Sequence, residues 1–88
     1  MPDSEEDAIV RDTCAILIVL VRAMVDDPDA VSAEPIHKQS EVCFRLQVAK
    51  NDVGKVIGRQ GRTGRSIRVI LRAIAITHKQ NFTLDIVE

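Results

Sequence analysis

Two glycines three residues apart, Gly58 and Gly61, enclose Arg59 and Gln60 in the run Val56-Ile57-Gly58-Arg59-Gln60-Gly61. Glycines at both ends of such a loop let the backbone approach a sugar-phosphate chain with no side chain in the way. Arg59 and Gln60 are long hydrogen-bond donors, and neither is acidic. Arg62 follows directly and Lys55 lies one helical turn before, so cations flank the loop on both sides. Where a helix begins just after Gly61, its free N–H groups and the positive end of its dipole face the same point. The chemistry this arrangement offers is the binding of an anion, phosphate above all. An ordinary tight connection between two helices would use the same two glycines. Gly54 has two readings: close packing of the short helix that contains it, or backbone approach by a ligand.

Other residue types point to no second chemistry. Cys14 and Cys43 each sit inside an apolar run, which is the setting of buried thiols that pack as small hydrophobes. A disulfide framework would want more cysteines and a zinc site would want close pairs, so a reducing, cytoplasmic compartment is expected. His37 and His78 lie far apart and read as surface or helix-end residues. No G-x-x-x-x-G-K-[ST] loop is present, and an enzyme is not expected. Nothing calls for a cofactor or a metal. Met1 to Asp7 is acidic, where a secretory signal begins basic. The longest charge-free run of the first helix, Thr13 to Val21, is far short of a membrane span.

Charge is separated along the chain. The net charge of the 88 residues is −1, yet residues 1–34 hold nine acids against two bases. Residues 53–84 hold seven bases and no acid: Lys55, Arg59, Arg62, Arg65, Arg68, Arg72 and Lys79. A solvated helix surface would mix the two signs. Six bases between Lys55 and Arg72 without one carboxylate predict a positive face instead, suited to a polyanion.

The elements that must hold this loop follow from spacing. A chain of 88 residues with 45% apolar content makes one small folded domain, 1–88, with residues 1–4 as a flexible end. Ser4 opens Ser-Glu-Glu-Asp, an N-cap signal for a helix running to about Val25. Ile9, Thr13, Ile16, Leu17, Leu20 and Met24 fall on its expected buried side. Asp26-Asp27-Pro28-Asp29 ends it. Ala30 to Lys38, with Pro35, reads as an irregular edge strand, and Gln39-Ser40 as a turn. Glu41 to Ala49 alternates, with Val42, Phe44, Leu46 and Val48 on one face and Glu41, Cys43, Arg45 and Gln47 on the other. Asn51-Asp52 is expected to cap a short helix from Val53 to Ile57. The glycine loop interrupts, a longer helix runs from Arg62 to about His78, and Phe82 to Val87 is a last strand.

On that longer helix Ile67, Ile70, Leu71 and Ile74 are assigned to the sheet, and Arg65, Arg68, Arg72 and Lys79 to a second side. Val69, Ala73 and Ile76 form a third stripe that one sheet cannot also cover. It would either pack on the first helix or serve as the seam of a two-fold dimer. The fold class is α+β: α-β-β-α-α-β, a three-stranded mixed sheet with helices packed on one face.

The string Gly54-Lys-Val-Ile-Gly-Arg-Gln-Gly-Arg-Thr63, in this element order, resembles the KH domain of type II. Together with Asp26-Asp-Pro-Asp29 and Val48-Ala49-Lys50 it is similar to the small bacterial KhpA family, over almost the whole chain. Gly64, in the first turn of the last helix, departs from what a good helix start would carry. The resemblance implies a GxxG loop that clamps about four nucleotides of single-stranded RNA. It carries over Gly54, Lys55, Val56, Ile57, Gly58, Arg59, Gln60, Gly61, Arg62 and Arg65 as the binding set, with Val53, Val56 and Ile57 lining the groove or serving the core. It also implies an RNA chaperone or post-transcriptional regulator that self-associates and pairs with a larger KH-containing protein. The alternative is a KH-fold interaction module that acts mainly as a dimerisation partner. Only Phe44 and Phe82 are aromatic, which disfavours RRM and OB-fold readers, whose sheets stack bases.

Overall fold

The computed structural model describes residues 5–88, with side chains from Asp7 onward. The expected Ser4 cap and the expectation of a flexible end over 1–4 fall outside the described residues. The elements are α1 (Glu5–Arg22), β1 (Ser32–His37), β2 (Val42–Gln47), α2 (Val53–Ile57), α3 (Arg62–Thr77) and β3 (Phe82–Val87), with single 3-10 turns at Pro28–Ala30, Lys50–Asp52 and Arg59–Gly61. The expected α+β order is therefore the observed one.

β2 is the central strand. β1 pairs with it antiparallel and β3 pairs with it parallel. Two parallel neighbours need a crossover, and α2 and α3 supply it. Pro35 sits on β1, an edge strand, where its missing N–H leaves no gap in an interior ladder. The alternation through β2 and on to the residue after it places Val42, Phe44, Leu46 and Val48 in the core. Phe44 stands opposite Leu84, and its ring meets Phe82 edge to face at 5.0 Å. The other side of the sheet is polar: Arg45 lies between Glu34 and Asp85, with Nε 3.8 Å from the Asp85 carboxylate. Cys43 also points to this side and is nonetheless buried, between its register partners Ile36 and Thr83.

All three helices feed one core on the other side, through Val10, Leu17 and Val21 of α1, Val56 of α2, and Ile67, Leu71 and Ala75 of α3. This corrects the buried side of α1. Val10 and Val21 are buried, whereas Ile16 and Leu20 are exposed, Ile16 by 55%. The helix is apolar almost all round from Ile16 to Val21, so its own wheel could not choose a face; contact with β1 and β2 chose it. α1 also stops at Arg22 instead of Val25, and Met24 N–H bonds the Val21 carbonyl in a tighter final turn. Thr13 is buried with a hydroxyl that has no hydrogen-bond partner among the described residues. Cys14 donates to the Ala33 carbonyl at 3.3 Å, and partial burial pushes its thiol pKa up.

Candidate nucleic-acid interface

α2 has five residues, too few to hold together alone. Its position is set by what holds it. At the N-terminal end Asp52 is 2% exposed, and its two carboxylate oxygens accept the N–H groups of Asp26 at 3.2 Å and Asp27 at 3.0 Å. Asp52 therefore does not cap α2, as expected from Asn51-Asp52; its side chain makes no cap bond. Two backbone donors across the chain outcompete the local N–H groups. In the middle of α2, Val56 is fully buried. Of its two expected roles, groove lining or core, its side chain takes the second and supports the helix from beneath. Ile57 is 40% exposed, and Val53 is half-buried against the core.

Gly54 is exposed, and a methyl group there would meet nothing within 4 Å. Close helix packing thus does not account for it, and space is open for an incoming chain. Lys55 projects nearby, with Nζ 3.3 Å from the Asp26 carboxylate.

Gly58 ends α2 at φ 80°, ψ 168°, and its N–H bonds the Gly54 carbonyl. A side chain at Gly58 would run into Thr63, whose hydroxyl, Cβ and backbone nitrogen all press on that position. The turn continues through Gln60 at φ 57°, in the left-handed region, to Gly61 at φ 74°. Gly61 N–H bonds the Gly58 carbonyl at 3.0 Å, closing the loop on itself. Arg59 and Gln60 are exposed at its tip. Arg62 donates to Gln60 Oε1 at 3.1 Å, which steadies both side chains.

Gly61 is the N-cap of α3, and no side chain caps that end. No acidic residue lies in the first turn, so the free N–H groups and the dipole face outward beside Arg59, Arg62 and Arg65. Gly64 lies inside α3 and is buried, and a methyl group there would sit 3.6 Å from the Ile57 carbonyl oxygen. The glycine that looked out of place marks where α3 crosses the end of α2.

The basic side of α3 is less uniform than its spacing suggests. Arg65 and Arg72 are exposed, but Arg68 leans back over β3 and reaches the Leu84 carbonyl at 3.5 Å. Lys79 lies beyond the helix, at φ 56° in the following turn. Ile70 is 47% exposed instead of sheet-facing; Gly64, Ile67, Leu71 and Ala75 take that side, with Ile74 partly buried. Val69 and Ile76 point to solvent, 58% and 69% exposed, with Ala73 between them. The stripe is therefore not packed on α1. Ile16, Val19 and Leu20 form a second exposed apolar row on α1, and of these Ile16 and Leu20 were expected in the core.

The Asp52 clamp and its partners Asp26 and Asp27 are what sequence reasoning missed. The Asp-Asp-Pro-Asp run read only as a helix stop, and nothing local signals a bond across 25 residues. Among the described residues no group of three or more His, Cys, Asp or Glu is placed to hold a metal ion, and no helix is long and apolar enough to cross a membrane.

Comparison with known proteins addresses the same residues. A sequence profile of the KhpA/KhpB KH domain matches residues 15–86. The RNA-binding protein KhpA of Caldanaerobacter subterraneus subsp. tengcongensis is 40% identical over 68 residues, 77% of this chain and 91% of that protein. RNA-binding protein KhpA of Clostridium acetobutylicum is 32% identical over 72 residues, 82% of this chain and 96% of that one. RNA-binding protein KhpA of Chlamydia trachomatis serovar D is 35% identical over 72 residues, 82% and 92% of the two chains. The matched span contains β1 to α3 whole, the glycine loop included, and the chain belongs to the KhpA/KhpB KH-domain family.

Proposed function

We propose that the loop from Gly58 to Gly61 clamps the backbone of single-stranded RNA. One observation carries this: the loop presents exposed Arg59 and Gln60 on a left-handed backbone that runs directly into the acid-free, uncapped start of α3. Gly58 and Gly61 admit the strand. Lys55, Arg59, Arg62 and Arg65 bind phosphates, and Gln60 donates a hydrogen bond. Gly54 and Ile57 line the groove, with Val56 packed behind them. Cations and backbone donors of this kind hold phosphate without moving a proton, which suits a binding module and not an enzyme. The relatives' common name, RNA-binding protein KhpA, supports RNA over DNA.

The test replaces Arg59 and Gln60 together with Asp. Both are exposed, and Asp tolerates the left-handed position better than Gln. Binding to a short single-stranded RNA should fall below detection while stability shifts by no more than about 0.5 kcal/mol. The parent should show a slope of log K against log salt near −2 to −3, from about −0.7 for each of three or four phosphates. A matched DNA strand should bind more weakly. Undiminished binding by the Asp pair would exclude the loop as the clamp.

In the cell we read the protein as a cytoplasmic RNA chaperone or post-transcriptional regulator that works as a homodimer or with a larger KH-containing partner. The exposed Val69, Ala73 and Ile76 favour a seam between two α3 helices. The same stripe favours the second reading, a module whose main work is pairing. Ala73→Arg should give a folded monomer in sedimentation; a variant that stays dimeric excludes this seam.

A further inference from the structure

We propose that Asp26 sets the RNA affinity of the loop by holding Lys55, one of its phosphate-binding cations, in a displaceable ion pair. This rests on the RNA reading above. The pair is open to solvent, 45% for Lys55 and 82% for Asp26, with Nζ 3.3 Å from Oδ2. An exposed pair of this kind is weak and exchanges readily. Its acid, however, is not on a loose loop. The N–H groups of Asp26 and Asp27 are both bonded to the buried Asp52 carboxylate, at the foot of the helix that carries Lys55. Pro28, with its fixed φ, follows at once and opens a 3-10 turn. One buried carboxylate thus ties the acidic segment to the basic helix and keeps Asp26 beside Lys55.

A phosphate arriving at Lys55 meets an ammonium that is already compensated. It must displace the Asp26 carboxylate or share the cation with it. Binding there is weaker than at a bare lysine, and the carboxylate stands ready to retake the ammonium when the strand leaves. The device lowers affinity and speeds release without altering the glycine loop. Asp29 provides an internal control: it lies on the same segment and carries the same charge, but it pairs with Arg22 of α1 at 3.8 Å.

The experiment measures anisotropy of a short fluorescent single-stranded RNA of mixed sequence, at two salt concentrations. The proteins are the parent, Asp26→Asn, Asp29→Asn, Lys55→Gln and the double variant Asp26→Asn/Lys55→Gln. The Asp26 side chain takes no part in the bonds to Asp52, so the fold should persist; melting curves check this, and Asp26→Ser serves as a second variant. Asp26→Asn should bind about two- to five-fold tighter, the range set by an exposed pair of ordinary strength. Its salt slope should steepen by at most about 0.7, one phosphate's share. Asp29→Asn should give less than half that gain, and in the Lys55→Gln background Asp26→Asn should gain no more than Asp29→Asn does. Equal gains from Asp26→Asn and Asp29→Asn, or a gain that persists without Lys55, would overturn the proposal and leave the RNA reading standing. Failure of the parent and every variant to bind would overturn both.

Discussion

At the N-terminal end of α2, the carboxylate of Asp52, a residue 2% exposed, accepts two backbone N–H groups from a distant segment. At the other end, one short turn of helix away, Gly58 to Gly61 bends through three residues of positive φ, and the tip residues Arg59 and Gln60 are exposed. One end is fixed by tertiary bonds to a buried side chain; the other is held by its own backbone bonds, Gly58 N–H to Gly54 and Gly61 N–H to Gly58. A helix of five residues can present a loop in a fixed direction only when its far end is anchored. The anchor and the loop are thus two halves of one device, and substitutions at each should fail differently.

The largest effect is expected at Gly58. Alanine there must adopt φ 80° and drive a methyl group into Thr63. Strain and overpacking together should remove about 3–4 kcal/mol of stability, read from urea denaturation, and abolish RNA binding with it. Asp52→Ala should come next, at about 2–3 kcal/mol, because it leaves two N–H groups without their acceptor. The distinguishing readout is hydrogen exchange: the Asp26 and Asp27 amides should lose protection in Asp52→Ala and keep more of it in a variant altered only at the loop tip. Intact protection would mean that the two ends of α2 are not coupled as described. The smallest effect is expected at Gly64. Its backbone is helical, and a methyl group would sit 3.6–3.7 Å from Ile57 backbone atoms, with only the mobile end of Arg68 closer, at 3.2 Å. Gly64→Ala should therefore stabilise by about 0.5–1 kcal/mol through helix propensity, with RNA binding unchanged. A loss of stability there would show that the α2–α3 crossing has no room to give.

Legibility in the sequence followed the range of the interaction involved. The glycine spacing, the alternation from Val42 to Val48 and the strand from Phe82 to Val87 were readable because each is a pattern in neighbouring residues that backbone geometry alone imposes. Asn51-Asp52 was readable as the start of α2, but not as a clamp. A side chain that can satisfy either its own helix or a segment 25 residues away gives no local sign of its choice. Arg68 shows the same limit: its spacing with Arg65 and Arg72 is regular, yet the Leu84 carbonyl of β3 draws it out of line.

By itself the sequence determined the order of helices and strands, the loop with its two glycines, and the separation of acids from bases along the chain. These depend on residue type and spacing, which survive any arrangement of the rest. Tertiary structure decided which side of α1 is buried, which α3 residues stay exposed, and where the acidic segment comes to lie. On α1, Val21 became core and Val19 became 69% exposed surface, although both are valines on one apolar run. Hydrophobic burial has no direction of its own; the sheet supplied one. The Asp26 carboxylate likewise came to rest beside Lys55 because one buried acid, Asp52, had two backbone donors to satisfy it only in the folded chain.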